Sequence, residues 1–349
     1  MQMKKYMVFP VAVLAALLIT GCASGNTENL DKGMDAIALL KYDEAQTYFD
    51  AALTASEDSR LVLRGKGIAY MGTMEYEQAL SCFEEALQYG GYTPQDIDFD
   101  INYYMAVCYY KMGESEKAIE RYNSILALRP KSVDAYFQRG VIYLEQGNEE
   151  MATADFESAI ALDSKNYGLY IDVFSVMNEQ GYTETGKKYL NVAMEKGEKN
   201  MDAYDKGRLY FYLEDYTNAR NFLEQARSDG NRSEEVILLL GRSYEALGDS
   251  NYALKLYDDY VAIAPNGAIY NQMGLCYYAS GEFGSAINAF EKGLSVQENN
   301  CKQQLMFNQI VAYESASQFE VAKTLMNNYL KLYPDDEQAV RENAFLQSR

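Results

Sequence analysis

The stretch VDAYFQRGVIYLEQGNEEMATADFESAIALDSKN, residues 133–166, decides the fold of this chain. Its eighth and twentieth places hold the small residues Gly140 and Ala152, and its eleventh and twenty-fourth places hold the aromatic residues Tyr143 and Phe156. Places 8 and 11, like places 20 and 24, are three or four residues apart, so each pair lies on one face of a helix. The pattern predicts two antiparallel helices that cross closely at the small residues, with large rings filling the groove beside the crossing.

The same arrangement recurs along the chain at an offset near 34 residues, which is typical of a repeat architecture. The nine windows begin at Asn26, Arg60, Phe99, Val133, Tyr167, Asn200, Glu234, Gly267 and Gln303. Place 20 is small in every window: Ala45, Ala79, Ala118, Ala152, Gly186, Ala219, Ala253, Ala286 and Ala322. Place 11 is tyrosine in seven: Tyr70, Tyr109, Tyr143, Tyr210, Tyr244, Tyr277 and Tyr313. We therefore expect an all-α protein made of stacked helical hairpins.

Prolines and two irregular segments mark the borders of this repeat. Pro130, Pro265 and Pro334 share place 32, where a residue without an N–H group ends the second helix. The fifth window has Phe174 and Met177 where glycine and tyrosine are expected, so we expect its packing to differ. Gly90 to Pro94 opens a five-residue insertion between the second and third windows, which predicts a surface loop near residues 90–98.

Small residues at places 8 and 20 with aromatic residues at places 11 and 24 resemble the signature of the tetratricopeptide repeat family. The resemblance implies a right-handed superhelical solenoid of about nine hairpins over residues 27–334, closed by a capping helix over residues 335–349. Asn29 and Lys32 make the first window polar, as suits an N-terminal cap. In the capping helix we expect Val340, Ala344 and Phe345 to face inward.

The resemblance also implies where a partner would bind. In this family the inner wall of the solenoid is formed mainly by the first helices, at places such as 5, 9 and 12. Aromatic residues occupy these places in several windows and predict a peptide-binding groove: Tyr103, Tyr110, Phe137, Tyr204, Phe211, Tyr278 and Phe307. The alternative is that these rings only pack between neighbouring hairpins. The partner would be an extended or helical segment of another protein.

The first residues are typical of an export signal. Lys4 and Lys5 precede an apolar run, which is too short to span a bilayer comfortably and ends in Ile19-Thr20-Gly21-Cys22. This order resembles the lipobox of bacterial lipoproteins, which implies cleavage before Cys22 and attachment of a lipid to its thiol. We expect residues 1–21 to be a signal peptide and residues 22–26 a lipidated cysteine with a short tether. The mature protein would then be lipid-anchored at the extracytoplasmic face of the cell membrane.

Composition narrows the function further. A formal net charge of -20 disfavours binding to nucleic acid and would attract a basic partner. The chain contains no histidine, which is the commonest general base and metal ligand. The other cysteines have no short pair spacing, so we expect no metal or cofactor and mostly buried free thiols: Cys82, Cys108, Cys276 and Cys301.

These observations predict a scaffold for protein–protein interaction, with a membrane-associated protein as a candidate partner, and not an enzyme. Two alternatives remain: binding of cell-wall glycans through tyrosine rings, and glycoside cleavage by a pair of carboxyl groups. Arg208 and Arg242 both lie at place 9 and together are candidates to hold a carboxylate or phosphate. Asp205 and Glu245 lie three residues away from them, however, and favour ion pairs within each helix.

Overall fold

The computed structural model describes residues 27–197, 200–297 and 300–348, and within them every regular element is an α-helix. The signal peptide, Cys22 and the tether lie outside the described residues. The chain divides into two compact units, unit 1 up to Gly186 and unit 2 from Lys187 onward. The helices that begin in unit 1 are α1 Glu28–Ala38, α2 Tyr42–Thr54, α3 Ser59–Gly72, α4 Tyr76–Gln88, α5 Asp96–Lys111, α6 Ser115–Leu128, α7 Val133–Glu145, α8 Glu149–Leu162, α9 Tyr167–Glu179 and α10 Thr183–Gly197. Those of unit 2 are α11 Ala203–Tyr212, α12 Tyr216–Ser228, α13 Glu234–Ala246, α14 Ser250–Val261, α15 Gly267–Ala279, α16 Phe283–Leu294, α17 Lys302–Ser315, α18 Phe319–Leu332 and α19 Glu337–Gln347.

Each of the nine sequence windows corresponds to one hairpin. We call the odd-numbered helices from α1 to α17 the A helices and the even-numbered helices from α2 to α18 the B helices. Glycine at place 8 of an A helix faces the large residue at place 24 of its B helix, as the sequence predicts. A methyl group built on Gly33 would lie 2.5 Å from the ring of Phe49, and one on Gly140 would lie 2.8 Å from Phe156. The helices cross this closely because the glycine side chain is absent.

The fifth hairpin, α9 with α10, has a large residue at place 8, where most A helices have glycine. Phe174 fills place 8 and is buried, while place 20 is Gly186. A methyl group on Gly186 would lie 3.2 Å from the ring of Phe174, so the glycine makes room for it. The departure from the repeat pattern is thus compensated within the hairpin.

The turn inside each hairpin uses a backbone conformation that the sequence did not reveal. Place 15 has a positive φ in all nine windows. Five of these residues are glycines, which adopt the left-handed region without steric cost: Gly113, Gly147, Gly181, Gly248 and Gly281. The other four carry side chains and adopt it at some cost: Leu40, Met74, Glu214 and Ser317.

A second buried stripe on the A helices joins consecutive hairpins. Places 3 and 10 are buried in most A helices, for example Val62 and Ala69 in α3. In α19 the same register buries Ala339 and Leu346, which pack with Met326 and Tyr329 of α18. The expected inward stripe of Val340, Ala344 and Phe345 is therefore wrong, since all three are exposed. Val340 and Ala344 lie at places 4 and 8, the register that in other A helices faces the B helix of the same hairpin, and Phe345 lies at place 9.

Loops and termini follow local chemistry. The insertion forms a loop over residues 89–95 and exposes Tyr92 fully, while residues 96–98, expected in the loop, already belong to α5.

At the start of α1, the buried carboxylate of Glu57 accepts hydrogen bonds from the backbone N–H groups of Asn29 and Leu30, at 3.1 and 2.8 Å. Burial raises the pKa of Glu57, but these hydrogen bonds outweigh that effect and leave the pKa lowered.

Candidate peptide-binding faces

In each unit, the side chains at places 2, 5, 9 and 12 of the A helices form a surface that we call the A-face. The structure puts Tyr103, Tyr110 and Phe137 on the A-face of unit 1, and Tyr204, Phe211, Tyr278 and Phe307 on that of unit 2. Six of these rings are half-buried and Phe211 is buried. None is fully exposed, so each contributes only part of its surface to the A-face.

The rings at place 5 partly cover the core of their own hairpin. Tyr103 meets Tyr122 edge to face with ring centroids 5.6 Å apart. Phe137 lies 5.7 Å from Phe156, again between centroids. Burial raises the pKa of Tyr103 above its usual value, as expected for a phenol away from water.

Other A-face side chains link one A helix to the next. The Tyr110 hydroxyl donates to Glu145 at 2.6 Å in unit 1. In unit 2 the Tyr204 hydroxyl donates to Glu235 at 2.5 Å, and the hydroxyls of Tyr278 and Ser315 lie 2.9 Å apart. Contacts between hairpins therefore engage several of the aromatic side chains on the A-faces.

On the A-face of unit 1 the arginine at place 5 is paired. Arg64 contacts Asp100 at place 2 of the next window, with 2.5 Å between Nε and Oδ2. The side chains of Arg64 and Asp100 are only 8% and 15% exposed. Burial raises the pKa of Asp100 although the guanidinium of Arg64 pulls it down. This ion pair joins α3 to α5 and leaves no open guanidinium at Arg64.

On the A-face of unit 2 the two arginines at place 9 differ. Arg208 is paired as expected with Asp205 at 3.4 Å, and also with Glu235 at 2.8 Å. The expected pair of Arg242 with Glu245 is absent. Glu245 instead accepts hydrogen bonds from Tyr257 at 2.7 Å and Gln272 at 2.9 Å.

Arg242 therefore has an open guanidinium. It is exposed and makes no ion pair within 4.0 Å to any described residue. Its guanidinium carbon lies 4.8 Å from the centre of the Phe211 ring, which orients it by a cation–π contact. A planar cation held over an aromatic ring can accept a carboxylate in two hydrogen bonds.

Acidic contacts and thiols complete the polar inventory. Burial and a hydrogen bond to Glu342 raise the pKa of Glu314, at place 12 of α17, to about 7. Nothing in the sequence spacing pointed to this pair.

Four cysteine thiols are not in disulfides. Cys108 and Cys276 are buried, while Cys82 and Cys301 are half-buried. Burial raises the pKa of Cys82 to about 11 and that of Cys108 to about 12.

Within the described part of the chain, no group of three or more acidic, cysteine or histidine side chains is arranged to hold a metal ion. None of the described helices has the length and apolar character needed to cross a bilayer.

Family models described as "TPR repeat" match residues 108–147, and others described as "Tetratricopeptide repeat" match residues 30–96, 133–166, 204–268 and 267–300. The matches that begin at residues 30, 133, 204 and 267 start within two residues of the start of an A helix. The chain is built from tetratricopeptide repeats. Residues 167–203, which include the fifth tetratricopeptide hairpin, lie outside the matched segments.

Several known proteins are similar to parts or most of this chain. Human DnaJ homolog subfamily C member 7 is 27% identical over 130 residues, which cover 34% of this chain and 25% of that protein. The chain thus spans about a quarter of the length of this relative. Yeast Tom70 has a TM-score of 0.51 with 14% identity, covering 91% of this chain and 87% of that one. A tetratricopeptide repeat protein from Parabacteroides merdae has a TM-score of 0.47 with 18% identity, covering 82% and 97%. At these identities the likeness to the solved structures concerns the fold alone.

Proposed function

We propose that this tetratricopeptide protein is a scaffold, lipid-anchored at the extracytoplasmic face of the cell membrane, that binds segments of other proteins on its A-faces. The observation that supports it best is Arg242. This exposed guanidinium lies over Phe211 without an ion pair, and Leu275 beside it on the next A helix is 37% exposed. An open cation next to apolar surface suits a peptide segment that carries one carboxylate and one apolar side chain.

The overall charge adds a second feature of the partner. With a net charge of -20, the chain attracts proteins whose surface is basic. The partner we propose is therefore a protein of basic overall character whose docking segment contains a carboxylate. A membrane-associated protein fits this description, because a lipid on Cys22 would hold the scaffold close to the bilayer.

Binding is proposed rather than catalysis. Glycoside cleavage needs two carboxyl groups at least about 5 Å apart, one on each side of the scissile bond. Glu342 lies close enough to Glu314 to raise its pKa, so this pair leaves no room for a scissile bond between its two carboxyl groups. The absence of histidine from the chain removes the commonest general base as well.

The A-face is tested by photocrosslinking in intact cells. A photoreactive amino acid at Leu275 should capture a protein partner, whereas the same group at Val321, which is equally exposed on the B helix α18, should not. Arg242→Ala should weaken capture about tenfold, because a charge-assisted hydrogen bond is lost. Arg232→Ala removes the same charge from an exposed loop and should leave capture unchanged. Equal capture from Leu275 and Val321 would contradict the proposal.

The anchor is tested separately. Cells fed an alkyne-tagged fatty acid should label the wild-type protein, which should remain with the membrane fraction. Cys22→Ala should lose the label and appear in the soluble fraction. A wild-type protein that takes up no label, or a Cys22→Ala protein that keeps it, would reject the lipid on Cys22 while leaving the A-face proposal intact.

A further inference from the structure

A repeated hydrogen bond connects consecutive hairpins on the B side of unit 2. The hydroxyl of the tyrosine at place 11 donates to the glutamate at place 25 of the preceding window. Tyr244 donates to Glu224 at 2.9 Å, and Tyr313 donates to Glu291 at 3.0 Å. In both cases the glutamate side chain reaches across from one B helix to the next A helix.

In the seventh window the residue at place 25 is an aspartate, whose side chain is one methylene group shorter than the glutamates of the sixth and eighth windows. Place 25 of the seventh window is Asp258, and place 11 of the eighth is Tyr277. No hydrogen bond within the described residues joins them, because the aspartate side chain is shorter. A cavity of about 320 Å³ opens at this position between α14, α15 and α16. We call it the B-side cleft.

The walls of the B-side cleft carry several hydrogen-bonding groups. Asp258, Asn288 and Lys292 are exposed at its rim, and Tyr270 and Tyr277 are half-buried one above the other on α15. None of these five side chains makes a hydrogen bond or ion pair to another described residue. Their donors and acceptors are therefore available to a ligand, and the two tyrosines line the cavity.

The shape of the B-side cleft limits the size of that ligand. Met273 and Ala289 form a buried apolar floor, and Gly284 contributes no side chain to the wall. The volume is at the lower end of the roughly 300–1,000 Å³ found for small-molecule sites. One or two sugar rings fit such a space, and a folded protein segment does not.

We propose that the B-side cleft binds a saccharide unit. A sugar ring has an apolar C–H face, which packs on tyrosine rings, and an edge of hydroxyl groups, which pair with a carboxylate and an amide. The two phenols, one amide, one carboxylate and one ammonium supply both donors and acceptors, as neighbouring hydroxyls require. This site lies on residues that the A-face does not use, so the two proposals succeed or fail separately.

The decisive variant is Asp258→Glu. It restores the residue found at place 25 of the neighbouring windows, so it should form the missing hydrogen bond to Tyr277 and close the B-side cleft. It keeps the net charge and should leave the melting temperature equal or higher. Asp259→Glu is the matched control, because Asp259 is exposed on the same helix and does not line the cleft.

Binding to the full chain is measured by calorimetry with chitotriose, cellotriose, maltotriose and mannotriose, and with glycylglycine as a small zwitterion that lacks sugar hydroxyls. We expect at least one trisaccharide to bind the wild type and the Asp259→Glu protein with equal affinity. Asp258→Glu should weaken that binding at least about tenfold, as one methylene group does in a filled pocket. Absence of any trisaccharide binding at about 10 mM overturns the proposal. So does binding that survives Asp258→Glu, or binding of glycylglycine alone.

Discussion

In unit 1 the A-face holds the guanidinium of Arg64 in a buried ion pair with Asp100, whereas in unit 2 it leaves the guanidinium of Arg242 exposed over Phe211. Both arginines lie on the A-face of their unit, Arg64 at place 5 of the second window and Arg242 at place 9 of the seventh. The difference arises from the acidic residue near each arginine, which is Asp100 at place 2 of the third window and Glu245 at place 12 of the seventh. Asp100 reaches Arg64, whereas Glu245 turns toward Tyr257 and Gln272 instead of Arg242.

The comparison shows that the repeat sets the backbone and the apolar core, while a few polar places set the chemistry of each A-face. In unit 1 charge is used to join consecutive A helices. In unit 2 the ion pair of Arg208 with Glu235 does the same, Tyr278 and Ser315 add a hydrogen bond, and the guanidinium of Arg242 is left open. A partner that needs a guanidinium should therefore bind unit 2 and not Arg64 of unit 1.

The largest expected difference is in stability. Asp100→Ala leaves Arg64 buried without its partner and should lower the free energy of unfolding by about 3 kcal/mol or more. The side chain of Glu235, a partner of Arg208, is 42% exposed. Glu235→Ala should therefore lower the free energy of unfolding by about 1 kcal/mol or less. Shifts of the urea midpoint measure both.

A double variant checks the cause of this difference. Arg64→Leu combined with Asp100→Leu removes both charges together and should recover most of the loss, because no unpaired charge is left buried. Equal losses for Asp100→Ala and Glu235→Ala would mean that the two A-faces do not differ in the way described.

The hairpins themselves could be predicted from the sequence because the spacing of Gly140, Tyr143, Ala152 and Phe156 repeats with little change. The face that α19 buries was harder to predict. Val340, Ala344 and Phe345 form the more apolar stripe, but a helix that follows a B helix buries places 3 and 10, which are Ala339 and Leu346. The apolar periodicity of α19 alone does not reveal that α18 packs against it, nor which of its faces α18 covers.

The polar contacts could be predicted only where they are local. The pair of Arg208 with Asp205 spans three residues and was found from spacing. The pair of Arg64 with Asp100 spans 36 residues and joins two windows, so no spacing rule within one helix reveals it. The exposed state of Arg242 likewise depends on which long-range partners compete for Glu245.

A second expected effect concerns the end of the A-face in unit 2. The pKa of Glu314 is raised to about 7, so the folded state favours its protonated form. The stabilisation is present below the ordinary pKa near 4.5 and is lost as the pH rises from there toward 7. With allowance for solvent screening of a partly exposed pair, the loss is about 1 kcal/mol.

Thermal unfolding at pH 5 and pH 8 tests this effect. Glu314→Gln should remove most of the difference between the two pH values, because the repulsion with Glu342 is gone. Glu337 is exposed on α19, the helix that carries Glu342, and Glu337→Gln should retain the difference. In unit 1 the sign is opposite, since the pKa of Glu57 is lowered and its stabilisation is lost as the pH falls below about 4.5.

The smallest expected effect should be the same in both units, because it depends on the backbone and not on the A-faces. Met74 in unit 1 and Ser317 in unit 2 occupy place 15 with φ values of 64° and 59°. A residue with a Cβ atom is strained there, so Met74→Gly and Ser317→Gly should each raise the free energy of unfolding by about 0.5 kcal/mol. Gly147→Ala, at φ 76°, should lower it by about 1 kcal/mol. Urea midpoints that rise in one unit and fall in the other would show that the turns, and not only the polar places, differ between the units.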